Sequence, residues 1–385
     1  LAGDRKKISI LVTSLTSGGA EKVISLLLKK LVVDFDVHLI LIYDLIHFEI
    51  PGEVHTFVLS RKPLNTNFSF LGKFTEAVKG TSRYLGILKR NKIDIAVSFL
   101  ALPNLMNSLA RMKHSKLRTI ISERGFPTDN TTSKISYYIS KVFYPLLYNR
   151  NDKLFSNSVY INQDLAINFK IRIPMEVIYN PIEIPKLKVS PDQLTGDDGL
   201  LKIVTVGTLS ERKNQKMIID AVAALNKGYE LDIYGNGPLN EELSKRILKK
   251  GLSNIVHLRG TVSDIYKYLV QYNCFVLSSK TEGFPNALLE AMAIGLPCIS
   301  TNCLSGPLEL LNGSQDTIFI EDGSFFKGKY GLLINNRDQK GLASALVYFK
   351  ENPPERRKYG ELAMKKALEY DLSTVYRQFK TFITS

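Results

Sequence analysis

Ser279-Lys280-Thr281-Glu282-Gly283-Phe284-Pro285-Asn286-Ala287-Leu288-Leu289-Glu290-Ala291-Met292-Ala293-Ile294-Gly295-Leu296-Pro297 packs a strand exit, a turn, a helix and a helix stop into one run. The apolar Phe275-Val276-Leu277 before it reads as a strand, and Cys298-Ile299-Ser300 after it reads as another. Asn286 to Ile294 are good helix formers, Gly295 is a natural helix stop, and Pro297 forbids continuation. Two carboxylates bracket the turn, with seven residues between Glu282 and Glu290. The first turn of such a helix offers backbone N–H groups and the positive end of the dipole, which suits a phosphate. Carboxylates on either side repel a phosphate but accept hydrogen bonds from hydroxyls. A nucleotide-sugar has that layout: a diphosphate between a ribose diol and sugar hydroxyls.

A chain of 385 residues has room for about two domains, each with its own core. Cys274, Cys298 and Cys303 have no metal-ligand spacing and form no disulfide framework, which favours a reducing compartment. Neither a signal peptide nor an apolar run of about 18 residues is expected, so the chain reads as cytoplasmic rather than membrane-spanning. The net charge of +14 is unevenly placed: residues 60–124 alone hold 13 basic and 3 acidic side chains. Nucleic acid, anionic lipid or a diphosphate substrate could each account for such a patch. Within it, Arg61–Lys92 mixes Arg61, Lys62, Lys73, Lys79 and Arg83 with Leu64, Phe68, Phe70, Leu71 and Phe74. This fits either an interfacial membrane contact or a helix with a solvated basic face.

Ile8–Thr13 reads as a buried parallel strand, followed by Ser17-Gly18-Gly19 and a helix from about Ala20. Further strands are expected at 37–42, 93–98, 118–122, 154–156 and 175–179, and helices at 74–89, 104–111 and 133–148. The alternation predicts a doubly wound parallel sheet. Asp34-Phe35-Asp36 reads as a polar turn rather than a metal motif, because no further carboxylates lie near it in sequence. Ser122-Glu123-Arg124-Gly125 leaves a strand at the carboxyl edge, where α/β sheets bind ligands. Arg124 cannot act as a base, so a base from that loop would be Glu123; the alternative is a solvent-facing pair. Residues 185–200, rich in Pro, Gly, Asp and Lys, read as an interdomain linker.

The second domain opens with strand 202–206 and Gly207-Thr208-Leu209-Ser210-Glu211-Arg212-Lys213. Adjacent cations before a helix at a strand's carboxyl edge can neutralise a diphosphate, though such a triplet can equally be solvated. Gly235 and Gly237 in the next strand-to-helix turn permit close backbone approach. Residues 312–329 read as a local insertion or hairpin.

The Glu-x7-Glu string, with Glu-Gly-Phe-Pro-Asn and Leu-Leu-Glu-Ala-Met-Ala-x-Gly-Leu-Pro, resembles the signature of the retaining GT-B glycosyltransferases of family 4. Ser17-Gly18-Gly19-Ala20-Glu21, Ile120-Ile121-Ser122-Glu123 and Ser305-Gly306-Pro307-Leu308-Glu309 are similar to loops of its bacterial members. The resemblance implies two Rossmann-like domains facing across a cleft: residues 1–183 on the acceptor and membrane side, a linker at 184–200, and a donor domain at 201–370. The helix at 371–385 would cross back to the first domain. It further implies metal-independent transfer of a hexose or N-acetylhexosamine from a UDP-sugar, with retention, to a polyprenyl-diphosphate-linked glycan at the inner membrane face. No cofactor is expected beyond the nucleotide-sugar donor, and no nucleic-acid partner.

The same resemblance assigns roles. Lys213, with Arg212 in support, would meet the departing phosphate, and Glu282 would position the sugar. Glu290 would hold the ribose diol and the Val262 backbone would meet the base. Gly18, Gly19, Gly207, Thr208, Gly235, Gly237, Gly283, Phe284, Pro285, Asn286, Ala287 and Leu288 would complete the donor contacts. Thr208 stands where the family usually has an Arg, and Arg124 where many relatives have a His. A nucleotide-sugar 2-epimerase of the same architecture is one rival reading, a transferase with a soluble or protein acceptor another, and a nucleic-acid-binding protein a third.

Overall fold

The computed structural model describes residues 5–60, 70–128, 134–195, 199–225, 227–313 and 318–385. The chain divides into two units: Leu1–Pro181 with Leu372–Ser385, and Ile182–Asp371.

Unit 1 alternates strand and helix. Its order is β1 (Lys7–Val12), α1 (Gly19–Asp34), β2 (Asp36–Tyr43), β3 (His55–Ser60), α2 (Phe70–Arg90), β4 (Ile95–Phe99), α3 (Ala101–Lys113), β5 (Arg118–Glu123), α4 (Lys134–Tyr148), β6 (Lys153–Ser156), α5 (Val159–Asn168) and β7 (Met175–Val177). The described strands form one sheet in the order β3-β2-β1-β4-β5-β6-β7, parallel throughout. Strand order reverses direction between β1 and β4, so their carboxyl ends flank a crevice of the kind that binds ligands in this class of sheet. β1, β2 and β4 are buried along nearly their whole length, which is why they read as unbroken apolar runs. α1 lays Val23, Ile24, Leu27, Leu28 and Leu31 on the sheet at helical spacing.

Unit 2 continues with α6 (Pro191–Thr195), β8 (Leu201–Val206), α7 (Gln215–Ala223), β9 (Tyr229–Tyr234), α8 (Asn240–Lys249), β10 (Val256–Gly260), α9 (Tyr266–Leu269), β11 (Cys274–Leu277), α10 (Asn286–Ala293), β12 (Cys298–Thr301), α11 (Pro307–Leu311), β13 (Phe326–Lys327), β14 (Leu332–Ile334), α12 (Gln339–Glu351) and α13 (Pro353–Ala367). Its sheet runs β10-β9-β8-β11-β12-β14-β13, with only β13 antiparallel. The reversal here falls between β8 and β11. The chain then re-enters unit 1 as α14 (Leu372–Thr384), whose Phe379 and Phe382 pack edge-on against Phe155 of β6.

The structure changes several expectations. β3 and α5 were not expected; β3 buries little beyond Leu59, so it lacks the apolar run that marks its neighbours. The stretch 184–200 is not a free linker where it is described. Val189 N–H bonds Ile294 O at 2.8 Å, Asn273 Nδ2 bonds Gln193 O at 3.0 Å, and Leu194 is buried in unit 2. Asp34 is no part of a bare turn: it accepts from Tyr376 and Lys380 of α14, each at 2.6 Å. Arg61, Lys62, Leu64 and Phe68 of the proposed membrane segment lie outside the described residues.

Candidate functional site

Lys213 lies on the loop after β8 and Glu282 on the loop after β11, the two strands that flank the reversal in unit 2. Adjacent strands therefore join residues far apart in sequence: Lys213 Nζ donates to Glu282 Oε1 at 2.5 Å and Arg212 Nη1 to Glu282 Oε2 at 3.0 Å. Glu282 is only 7% exposed. Burial pushes its pKa up, but the charges of Lys213 and Arg212 outweigh burial and hold it below the ordinary carboxylate value. The Glu211-Arg212-Lys213 triplet splits. Glu211 reaches out to Lys216 and Lys280, while the two cations turn to Glu282.

A shell of hydroxyls fixes this pair. Ser279 Oγ donates to Glu282 Oε1 at 2.5 Å, Ser278 Oγ to Lys213 O at 2.8 Å and Thr301 Oγ1 to Ser279 O at 2.6 Å. Ser305 Oγ donates to Glu282 O. Gly306, at φ +73°, leaves no room for a side chain: a Cβ there would sit 2.6 Å from Pro285 Cδ. The loop after β12 thus clamps the turn that carries Glu282. Ser278, Ser279 and Thr301 were missed by sequence reasoning; their one signal is position, at the carboxyl ends of β11 and β12.

α10 starts four residues after Glu282, so the Lys213–Glu282 pair and the helix start share one edge of the sheet. The helix ends as its sequence requires. Leu296 N–H bonds Ala291 O and Gly295 N–H bonds Met292 O, both at 3.0 Å, with Gly295 at φ +82°. Leu288 and Leu289 N–H groups are already committed to Pro285 O at 3.1 Å, which shifts any anion-holding role in that turn toward Ala287. The side chains of Phe284 and Leu288 are core rather than ligand-facing: Phe284 packs 5.3 Å from the Tyr370 ring and Leu288 is fully buried. A donor role for either passes through backbone alone.

Glu290 is 7% exposed, and its charge, after burial, helps raise the pKa of Tyr266 on α9. Val262, half-buried, lies in the loop that leads to that helix. Gly207, Gly235 and Gly237 bring two loops into backbone contact, since a Cβ on Gly235 would meet Gly207 O at 2.0 Å and one on Gly237 would meet Leu209 O at 2.4 Å. Asn236 and Gly207 are stitched into the same arrangement by Leu209 N–H to Asn236 O at 3.0 Å and Gly207 N–H to Tyr234 O at 2.9 Å. Thr208 is exposed; its carbonyl accepts from Gln215 Nε2 at 3.0 Å.

In unit 1, Gly18 and Gly19 begin α1 after β1, and the Glu21 carboxylate folds over Gly18 where a Cβ would sit. Glu123 and Arg124 are not a solvent-facing pair: they are 4% and 8% exposed. Glu123 Oε1 accepts from Tyr148 Oη at 2.6 Å and Asn104 Nδ2 at 3.2 Å, and burial lifts its pKa to about 7. The Arg124 guanidinium lies 5.6 Å from the Phe99 ring and 5.7 Å from that of Phe155.

Comparison with known proteins identifies the family. A family model described as "Glycosyl transferases group 1" matches residues 189–366. The chain is 31% identical over 378 residues, 97% of its length and 98% of the relative's, to the N-acetylgalactosamine-N,N'-diacetylbacillosaminyl-diphospho-undecaprenol 4-alpha-N-acetylgalactosaminyltransferase of Campylobacter jejuni. A second protein of that organism, a GalNAc-alpha-(1->4)-GalNAc-alpha-(1->3)-diNAcBac-PP-undecaprenol alpha-1,4-N-acetyl-D-galactosaminyltransferase, is 24% identical over 385 residues, 98% of each chain. The crystal structure of Anabaena Alr3699/HepE in complex with UDP and glucose superposes with a TM-score of 0.77 at 20% identity, covering 99% of this chain and 100% of that one.

Two Rossmann-like units of this topology define a GT-B fold, and the protein is a glycosyltransferase. The chain belongs to the glycosyl transferases group 1 family.

Proposed function

We propose that this glycosyltransferase moves a hexose or N-acetylhexosamine from a UDP-sugar to a polyprenyl-diphosphate-linked glycan, with retention and without a metal, during assembly of a bacterial surface polysaccharide or glycoprotein glycan. The observation that carries the reading is the buried Lys213–Glu282 pair beside the start of α10. Departure of a nucleoside diphosphate builds negative charge on the β-phosphate. Lys213, Arg212 and the first turn of α10 supply fixed positive charge at that point. Glu282, held by its hydroxyl shell, is placed to accept from a sugar hydroxyl, and Glu290 from the ribose diol. The leaving phosphate takes the acceptor proton in a front-face attack. Gly18 and Gly19 add donor contacts, and Glu123 serves the acceptor side in unit 1.

The lipid-linked acceptor rests on the names of the Campylobacter relatives, both of which specify an undecaprenol-linked substrate. Peripheral attachment at the inner membrane face rests on unit 1. α3 exposes Leu102, Leu109 and Met112, and its neighbour α4 exposes Val142, Phe143 and Leu146, among basic side chains that include Lys113, Lys141 and Arg150. No described helix is long and apolar enough to cross a membrane.

The test incubates the protein with a panel of UDP-sugars and undecaprenyl-diphosphate-linked glycans, reading product mass and anomeric configuration. Transfer with retention, insensitive to EDTA, is expected. Lys213→Ala should lose at least about a hundredfold in rate, the scale of removing one oxyanion donor. Consumption of UDP-sugar without any acceptor would favour an epimerase, and full activity of Lys213→Ala would sink the site assignment.

A further inference from the structure

The amino edge of the unit 1 sheet carries a second cluster, at the far ends of the strands from Gly18 and Glu123. Asp36 opens β2, His38 follows two residues on, and His55 opens β3. Alternation along a strand puts Asp36 and His38 on one face. The parallel register sets His38 directly beside His55. Asp36 Oδ1 lies 3.6 Å from His38 Nδ1 and 3.3 Å from His55 Nε2, and the three ligand atoms fall within 4.8 Å of one another.

These spacings are too long for a good hydrogen bond at His38. His38 is 3% exposed and its Nδ1 has no hydrogen-bond partner, a buried polar atom that folding does not satisfy. Ligand atoms held about 2.1 Å from a common centre in tetrahedral geometry stand roughly 3.4 Å apart. Both Asp36 spacings match. The other carboxylate oxygen, Oδ2, faces Lys7 Nζ at 3.8 Å, so Lys7 orients the carboxylate with Oδ1 toward the imidazoles. The Phe57 ring lies parallel to that of His38, with centroids 6.0 Å apart. His55 is largely exposed, which gives an ion a way in and a side chain free to close the third edge.

We propose that Asp36, His38 and His55 form a divalent transition-metal site of the zinc type, with two imidazoles, one carboxylate and water completing the shell. Imidazole and carboxylate ligands suit Zn²⁺ and its neighbours rather than Mg²⁺ or Ca²⁺. The ion ties β3, the edge strand, to β2. It lies on the opposite edge of the sheet from Glu123 and takes no part in sugar transfer.

The test is equilibrium dialysis or calorimetry of the chelator-stripped full chain with Zn²⁺, with Co²⁺ as a spectroscopic probe. One ion per chain is expected, together with visible Co²⁺ bands of low-coordinate geometry. His55→Ala, an exposed position that leaves folding intact, and Asp36→Asn should each weaken binding at least tenfold, with unchanged circular dichroism. Zn²⁺ should raise the melting temperature of the parent chain and not of His55→Ala. Absence of stoichiometric binding, or binding unaffected by His55→Ala, would overturn the proposal.

Discussion

Glu123 is a carboxyl group kept where its charge is unwelcome. Burial raises its folded pKa to about 7 from an ordinary 4.5, although Tyr148 and Asn104 both donate to it. Between those values the native state binds a proton that the unfolded chain has released. Stability therefore falls as pH rises from about 4.5 to 7 and is flat above. A shift of this size corresponds to a loss on the order of 3 kcal/mol. Glu123→Gln keeps an acceptor for both donors and removes the charge. Its melting temperature should gain over the parent at pH 8 and lose that advantage at pH 4.5, read by calorimetry at both values. A constant difference across the range would show that Glu123 does not titrate there. Sequence could name Glu123 as the one base its loop offers, but not this environment, because Tyr148 and Asn104 come from α4 and α3.

The loops that leave β8 and β9 approach each other where Gly235 and Gly237 carry no side chain. At φ +135°, with a Cβ that would fall 2.0 Å from Gly207 O, Gly235 has no room to give, because the obstacle is backbone. Gly235→Ala is expected to destabilise the chain by at least about 2 kcal/mol and to abolish UDP-sugar protection in a thermal-shift assay. An Ala variant with parental stability would mean that the loops part at no cost. Such elements were readable to different degrees. The α10 run announced its strand, turn, helix and Schellman stop, because each feature is local. The Lys213–Glu282 ion pair was not readable, since it exists only because β8 and β11 are sheet neighbours. The stretch 184–200 misled for a related reason. Its composition is that of a linker, and nothing local tells that Val189 and Leu194 find burial beside α10 and α13.

At the scale of the molecule, the net charge of +14 is concentrated on the unit that also exposes Val142, Phe143 and Leu146. Cationic attraction and apolar insertion reinforce each other on anionic bilayers, and the first is screened by salt. The protein should float with vesicles containing anionic lipid at low ionic strength and not with neutral ones. Phe143→Glu with Leu146→Glu should reduce that fraction several-fold without altering donor binding in unit 2. Equal recovery of parent and variant would remove α4 from the contact.

The return of α14 into unit 1 bears on how the chain is made. Unit 1 is interrupted, and residues 182–371 are in effect a domain inserted within it. A nascent chain leaving the ribosome has every residue of unit 2 available while unit 1 still lacks Phe379 and Phe382 from its core. The amino-terminal sheet must then wait, with part of its apolar face uncovered, until a neighbour translated later has already folded. Expression of residues 182–371 alone calls for one uninterrupted segment, whereas a faithful isolated unit 1 requires splicing two.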